Sequence, residues 1–78
     1  MPCIHECYVV EFTRSSVGRG ANGQPLTILK GARGTVVMEH RGGGYTVEVL
    51  DDAGNFRALV EASGKELSVA WSPERSAA

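Results

Sequence analysis

The chain has 78 residues, a formal net charge of −1 and 42% hydrophobic residues, which is enough for one domain with one core. A chain of this length buries only about 60% of the surface that its unfolded form exposes, so its stability has little margin. The small net charge gives no general attraction to nucleic acid or to an anionic membrane surface. Because no apolar run of about 18 residues occurs, no transmembrane helix and no membrane partner are predicted.

The N-terminus and the cysteines indicate the compartment. The first residues lack the basic and then apolar order of a secretory signal. The two cysteines, Cys3 and Cys7, are too few and too close together to form a disulfide framework, which favours a reducing environment. We therefore expect a cytoplasmic protein.

Short segments of alternating β-branched and aromatic residues predict strands along the chain. In the first segment Tyr8, Val10 and Phe12 would share one face. Residues 13–25 carry glycines, serines and few apolar side chains, so a long surface loop is predicted there. Residues 26–29 fit either a short strand or a segment that lines the core.

Four further strands complete the predicted sheet. They are expected at residues 35–39, 45–50, 56–60 and 67–71. Residues Tyr45, Val47 and Val49 would face one way, and so would Phe56, Ala58 and Val60. Because Tyr45 and Phe56 share these faces with valines, both are expected to fill the core. Residues 61–66 predict a turn, with one turn of 3₁₀-helix as an option.

The expected fold class is all-β, a small barrel of five strands. The last strand would return beside the first and close the sheet, which removes exposed strand edges. The barrel would span residues 8–71, with an N-terminal extension at 1–7 and a flexible C-terminal tail at 72–78.

Three segments together resemble SH3-like barrels: LKGARGTVV at residues 29–37, YTVEV at 45–49 and DAG at 52–54. More narrowly, the chain resembles a bacterial family of small domains without assigned function. In that family an N-terminal strand, a long loop, G-x-x-G-T-V-V, Y-x-V-E-F and D-x-x-G-x-x-x-A-L follow in order. The resemblance covers roughly residues 8–69 and implies an SH3-like fold, sometimes encoded beside toxin-like or mobile-element genes. The turn around Gly31 and Gly34 also resembles the KOW turn of ribosomal and transcription factors, which contacts RNA or protein.

No cofactor, metal ion or catalytic centre is predicted. Cys3, His5 and Cys7 would share a face if they extended the first strand, and His40 could add a fourth ligand, but the spacing matches no standard zinc site. Residues 18–23 match G-x-G-x-x-G without the helix that a dinucleotide needs. The sequence shows no recognisable arrangement of a nucleophile, a histidine and an acid, so the protein is not expected to be an enzyme.

The leading hypothesis is a non-catalytic protein-interaction module, with antitoxin-like, inhibitor-like or mobile-element accessory roles as its specific forms. It would act through the barrel surface and the loop Arg14–Pro25. The C-terminal Trp71 is either a lid on the core or an exposed anchor for a partner, and its shared parity with Val69 favours the core. An edge strand that paired with a second copy would give a homodimer.

The alternative hypothesis is a KOW-like barrel that binds RNA or DNA. Its phosphate contacts would come from basic side chains expected on loops near one end of the barrel. These are Arg14, Arg19, Lys30, Arg33 and Arg41.

Overall fold

The computed structural model describes residues 4–73 and shows an all-β chain. Its strands are β1 (Val9–Phe12), β2 (Ser16–Arg19), β3 (Pro25–Ile28), β4 (Arg33–His40), β5 (Gly44–Leu50), β6 (Phe56–Ser63) and β7 (Leu67–Trp71). One 3₁₀ turn, Gly64–Glu66, separates β6 from β7, as the sequence allowed. Within the described residues, no helix is long and apolar enough to cross a membrane.

All seven strands belong to one antiparallel sheet with the order β3-β2-β6-β5-β4-β1-β7. The expected pairing of the first and last strands is confirmed, since β1 lies between β4 and β7. The expected closed barrel of five strands is wrong in two respects. The described chain has seven strands, and its edge strands β3 and β7 do not pair with each other, so the sheet is open.

A single core lies on one face of this sheet, which must therefore curl. Ile28 of edge strand β3 and Leu67 of edge strand β7 belong to one buried cluster with Val10 and Phe12 of β1. In a flat sheet, edges six strand spacings apart would be about 29 Å from each other. Both edges can reach one core only because the sheet wraps around it.

The predicted loop at residues 13–25 is largely a hairpin, because β2 and β3 pair from Ser16 with Ile28 to Arg19 with Pro25. The side of β2 that faces the core is occupied by Gly18, and Val17 is exposed. A Cβ atom on Gly18 would lie 2.7 Å from the Leu59 carbonyl oxygen. The strand was missed because its buried position holds no side chain that could show a hydrophobic alternation.

The shared faces predicted for the first and third segments are confirmed and lie toward the core, since Tyr8, Val10, Phe12, Val47 and Val49 are all buried. Tyr45, on the same side, is partly buried.

The predicted inward position of Phe56 is wrong. The register of β5 and β6 shifts between Val49 and Leu50, so Leu50 pairs with Phe56 while Val49 pairs with Ala58. An extra residue in one strand reverses the side on which later side chains lie. Phe56 therefore lies 40% exposed beside Leu50, outside the core.

Each segment that flanks the predicted domain contains a buried residue. Ile4, within the predicted N-terminal extension, is buried in the core cluster, and Ser72, at the start of the predicted tail, is also buried. The remainder of that tail, residues 74–78, lies outside the described residues.

Candidate interaction groove

The five basic residues predicted as a nucleic-acid surface are all exposed, but they do not form one patch. Arg33 begins β4 and Arg41 follows its last residue, so the eight-residue strand separates them by about 25 Å. Lys30 lies in the turn before β4, and Arg14 lies in the connection from β1 to β2. Arg19 ends β2, at the β2–β3 hairpin.

Two of these cations are already engaged within the chain. The Arg19 guanidinium donates a hydrogen bond to the Gly23 carbonyl oxygen at 3.0 Å. Arg33 Nε lies 3.3 Å from a carboxylate oxygen of Glu11, which is its partner in the β1–β4 ladder. The five basic residues therefore do not form one continuous surface, and nucleic-acid binding stays a prediction.

Trp71 lies outside the core, with 44% of its surface exposed. The β1–β7 register shifts so that Val10 pairs with Val69 while Val9 pairs with Trp71. Because Val10 is fully buried and successive side chains of a strand alternate, the partner of Val9 faces outward. The inference of a core position from the parity of Val69 is wrong for this reason, and Trp71 is available as an exposed side chain.

His5 and Cys7 do not extend β1, as the metal hypothesis required, because β1 begins at Val9. Residues 5–8 form a turn, closed by the Tyr8 N–H donating to the His5 carbonyl oxygen, and Cys7 has a φ of 72°. His5 Nδ1 lies 3.3 Å from a carboxylate oxygen of Glu39. No cluster of three candidate metal ligands occurs within residues 4–73, and Cys3 falls outside them.

His40 belongs to a polar cluster on the outer face of β4, β5 and β6. The Thr46 hydroxyl donates to Glu61 Oε2 at 2.8 Å, and His40 Nε2 lies 2.7 Å from the same hydroxyl oxygen. A threonine hydroxyl has one proton, so His40 Nε2 is the donor in that contact. Nε2 also lies 3.1 Å from Glu61 Oε1. With its Nε2 proton shared between two acceptors, His40 is not poised as a base toward Thr46.

An apolar groove lies beside the 3₁₀ turn. Its volume is about 420 Å³. Four side chains supply its apolar lining: Ile4, Tyr45, Leu67 and Val69. Leu67 and Val69 are alternate residues of β7, which places both on the same side of the strand. Tyr45 and Val69 are only partly buried, so apolar surface remains open to solvent there.

Glycines form the rim of the groove and give it its width. Gly42 and Gly43, in the β4–β5 turn, have φ of 87° and 89°, a region that other residues rarely adopt. The Gly64 N–H donates to the Gly43 carbonyl oxygen at 3.0 Å, which ties this turn to the 3₁₀ turn. A Cβ atom on Gly64 would lie 3.4 Å from Cε2 of Tyr45, so even one methyl group would fill space above the ring.

Charged side chains of both signs lie around the groove. Lys65 lines the groove, and Arg41 lines a more open depression that shares Gly42, Gly43 and Tyr45 with it. Neither cation forms an ion pair with another described residue. Two acids lie beside them: Glu61 lines the same depression as Arg41 and contacts His40 and Thr46, and Glu66 accepts hydrogen bonds from Ser63. Hydrogen bonds from uncharged groups do not cancel a carboxylate charge, so the surroundings of the groove carry both signs.

Sequence reasoning identified none of these groove residues except Arg41, which it placed in a different surface. Each apolar member fits an ordinary core position when its own strand is considered alone. The one local signal was glycine, at residues 42–44 and at Gly64.

The chain belongs to a family described as Domain of unknown function (DUF4926), whose model matches residues 19–69. No curated protein and no solved structure matches the chain. The matched segment contains the β4–β5 turn, the 3₁₀ turn and most of the apolar lining of the groove, whereas Ile4 and Trp71 lie outside it.

Proposed function

We propose that this protein is a non-catalytic protein-interaction module that binds its partner through the groove between the β4–β5 turn and β7. The observation that supports the proposal is an apolar lining under a glycine rim, in which Tyr45 and Val69 are partly open to solvent beside the buried Leu67. Apolar surface of this kind gains free energy when a partner covers it, at roughly 25 cal/mol per Å². Trp71 is exposed on the outward side of the same edge strand. It offers a separate contact, because exposed tryptophan is frequent among residues that dominate binding energy.

The lining favours an interaction role over catalysis. The lining side chains that carry polar groups are Tyr45, Ser63 and Lys65, and the Ser63 hydroxyl donates to Glu66. General acid–base or nucleophilic chemistry needs a base within hydrogen-bond reach of the reacting group. His5 and His40 each contact a carboxylate instead, and neither lines the groove.

The proposal also covers the fold family to which the protein is related and the cellular role in which it acts. The curled antiparallel sheet, the pairing of its first and last strands, and the 3₁₀ turn before the last strand support an SH3-like relationship. We place the protein in a bacterial cytoplasm. There it would act as an antitoxin-like or inhibitor-like protein, or as an accessory protein of a mobile element, and each of these roles would use such a groove.

A site-specific photo-cross-linking experiment tests the proposal in the source cell. Benzoylphenylalanine replaces Lys65 on the groove rim, or Asp52 in the β5–β6 turn as the matched control. Asp52 lies beyond the far end of the seven-residue β5, about 20 Å or more from the groove end of that strand. Light-dependent attachment of a second polypeptide at position 65 and not at 52 is the expected result.

Three outcomes contradict the proposal. They are no adduct at position 65, equal adducts at both positions, and an adduct that nuclease removes. The last of these would favour the KOW-like nucleic-acid hypothesis.

A further inference from the structure

The tip of the β2–β3 hairpin places an asparagine directly before a glycine on an open surface. Asn22 and Gly23 are both exposed, and a Cβ atom on Gly23 would have no neighbour within 4 Å. We propose that this tip is a modification site, at which Asn22 converts without an enzyme to isoaspartate and aspartate through a cyclic succinimide, at a rate that the hydrogen bonds of the hairpin limit. The proposal does not depend on the groove or on a partner bound there.

The reaction joins two atoms of adjacent residues and needs no oxidant or reductant. The backbone nitrogen of Gly23 attacks Cγ of Asn22, the carbon–nitrogen bond of the side-chain amide breaks, and ammonia leaves with the proton that the Gly23 nitrogen loses. Water then opens the ring, at Cγ to give aspartate or at the Asn22 backbone carbonyl carbon to give isoaspartate. Glycine favours ring closure because it has no Cβ atom and its backbone rotates freely, and the attack is intramolecular.

Hydrogen bonds at the tip restrain both reacting groups in the folded hairpin. The Gly23 N–H donates to the Gly20 carbonyl oxygen at 2.9 Å, and the Gln24 N–H donates to Asn22 Oδ1 at 2.9 Å. The Arg19 guanidinium adds a bond to the Gly23 carbonyl oxygen at 3.0 Å. The Gly23 N–H must leave its acceptor before the nitrogen can attack. Because these bonds lie at an exposed turn, local opening of the tip suffices and the sheet need not unfold.

Asn55 provides a matched comparison within the same chain. It is also exposed and also lies in a turn between two paired strands, β5 and β6, where its N–H donates to Asp51 Oδ1 at 2.9 Å. Its following residue is Phe56, whose side chain restricts the backbone and crowds the nitrogen that would attack. Asn55 therefore shares the exposure of Asn22 but lacks the glycine that favours ring closure.

Conversion would change the hairpin in two ways. Either product places a carboxylate in the turn where Arg19 is bonded. Isoaspartate also adds a methylene group to the main chain between Gly20 and Gln24, whose N–H and carbonyl oxygen are bonded at 3.0 Å. That pairing should be lost in the isoaspartate form, because the longer main chain no longer fits the turn.

Incubation of the full-length protein at mildly alkaline pH, followed by proteolysis and mass spectrometry, tests the proposal. Conversion raises the mass of the peptide that contains Asn22 by one unit, and electron-transfer fragmentation distinguishes isoaspartate from aspartate. We expect both products at Asn22 and no conversion at Asn55 over the same time. Protein unfolded in guanidinium chloride should convert roughly two- to tenfold faster, the factor expected from opening one ordinary hydrogen bond. The Asn22→Gln variant, which would have to close a larger ring, should stay unconverted at position 22.

Three results would overturn the proposal. Conversion at Asn22 that is absent, or no faster than at Asn55, would show that the glycine does not create a site. Aspartate without isoaspartate would indicate direct hydrolysis of the side-chain amide instead of a cyclic intermediate. A rate in the folded protein equal to or above that in the unfolded protein would show that the hairpin does not limit the reaction. Because the cross-linking at position 65 probes a different surface, its outcome is independent of all three.

Discussion

Gly34 is the position at which the fold should be most sensitive to a single added methyl group. A Cβ atom there would lie 2.5 Å from Val47 Cγ1 and 2.7 Å from the Glu48 carbonyl oxygen, whereas carbon atoms normally approach to about 3.5–4.0 Å. Val47 is fully buried and Glu48 lies within the β4–β5 and β5–β6 ladders. Relief therefore requires β4 and β5 to move apart.

The Gly34→Ala variant should lose about 3 kcal/mol of unfolding free energy, near the upper end of the cost of overpacking a core. The whole domain is expected to hold only about 4–12 kcal/mol, at roughly 0.05–0.15 kcal/mol per residue. With a urea dependence of about 1 kcal/mol/M for a small protein, the midpoint of urea unfolding should fall by about 3 M.

Two other glycines separate steric overlap from backbone strain. A Cβ atom added to Gly20 would have no neighbour closer than 3.5 Å, and Gly20 lacks a positive φ, so Gly20→Ala should change stability by less than about 0.5 kcal/mol. Gly31 has open space but a φ of 93°, so Gly31→Ala should cost about 1–2 kcal/mol through backbone strain alone. A Gly34→Ala loss within about 0.5 kcal/mol of zero, or smaller than the Gly31→Ala loss, would refute the steric argument.

Three further predictions use the same unfolding measurements. Thr46→Val should lower stability by about 1 kcal/mol, because it removes the hydroxyl between His40 and Glu61 but leaves their direct contact; an unchanged midpoint would show that the direct contact suffices. Asp51→Ala should cost about 1 kcal/mol, since the carboxylate accepts two backbone N–H groups of its own turn, and Asp51→Asn should retain part of that stability; equal losses in the two variants would contradict this. A fragment of residues 19–69 should be unfolded by circular dichroism, because it lacks β1; a folded spectrum would contradict the structural role given to that strand.

The sequence predicted the strands wherever a regular alternation of apolar residues persists. Phe12 and Val10 were placed correctly because β1 is regular on its inward side. The errors at Phe56 and Trp71 have one cause. A register shift separates each side chain from the regular part of its ladder, and a period of two cannot locate the extra residue that a bulge inserts.

The groove was not predictable for a different reason. Ile4, Tyr45 and Leu67 come from three distant parts of the chain, and each is apolar in a context where a core position is the ordinary explanation. The groove between them is bordered by two turns that a hydrogen bond from the Gly64 N–H to the Gly43 carbonyl oxygen holds together. That backbone hydrogen bond joins two turns that are far apart in the sequence and has no signature in side-chain periodicity.

The folding unit extends beyond the segment that defines the family. β1 precedes the matched residues 19–69, yet it lies between β4 and β7 in the sheet and contributes the fully buried Val10 and Phe12. β7 pairs with no described strand except β1. Without β1, the strand that carries Leu67 and Val69 would lose its ladder, and one side of the groove would lose its support. The proposed binding surface is therefore a property of the whole curled sheet and depends on residues that the family match does not include.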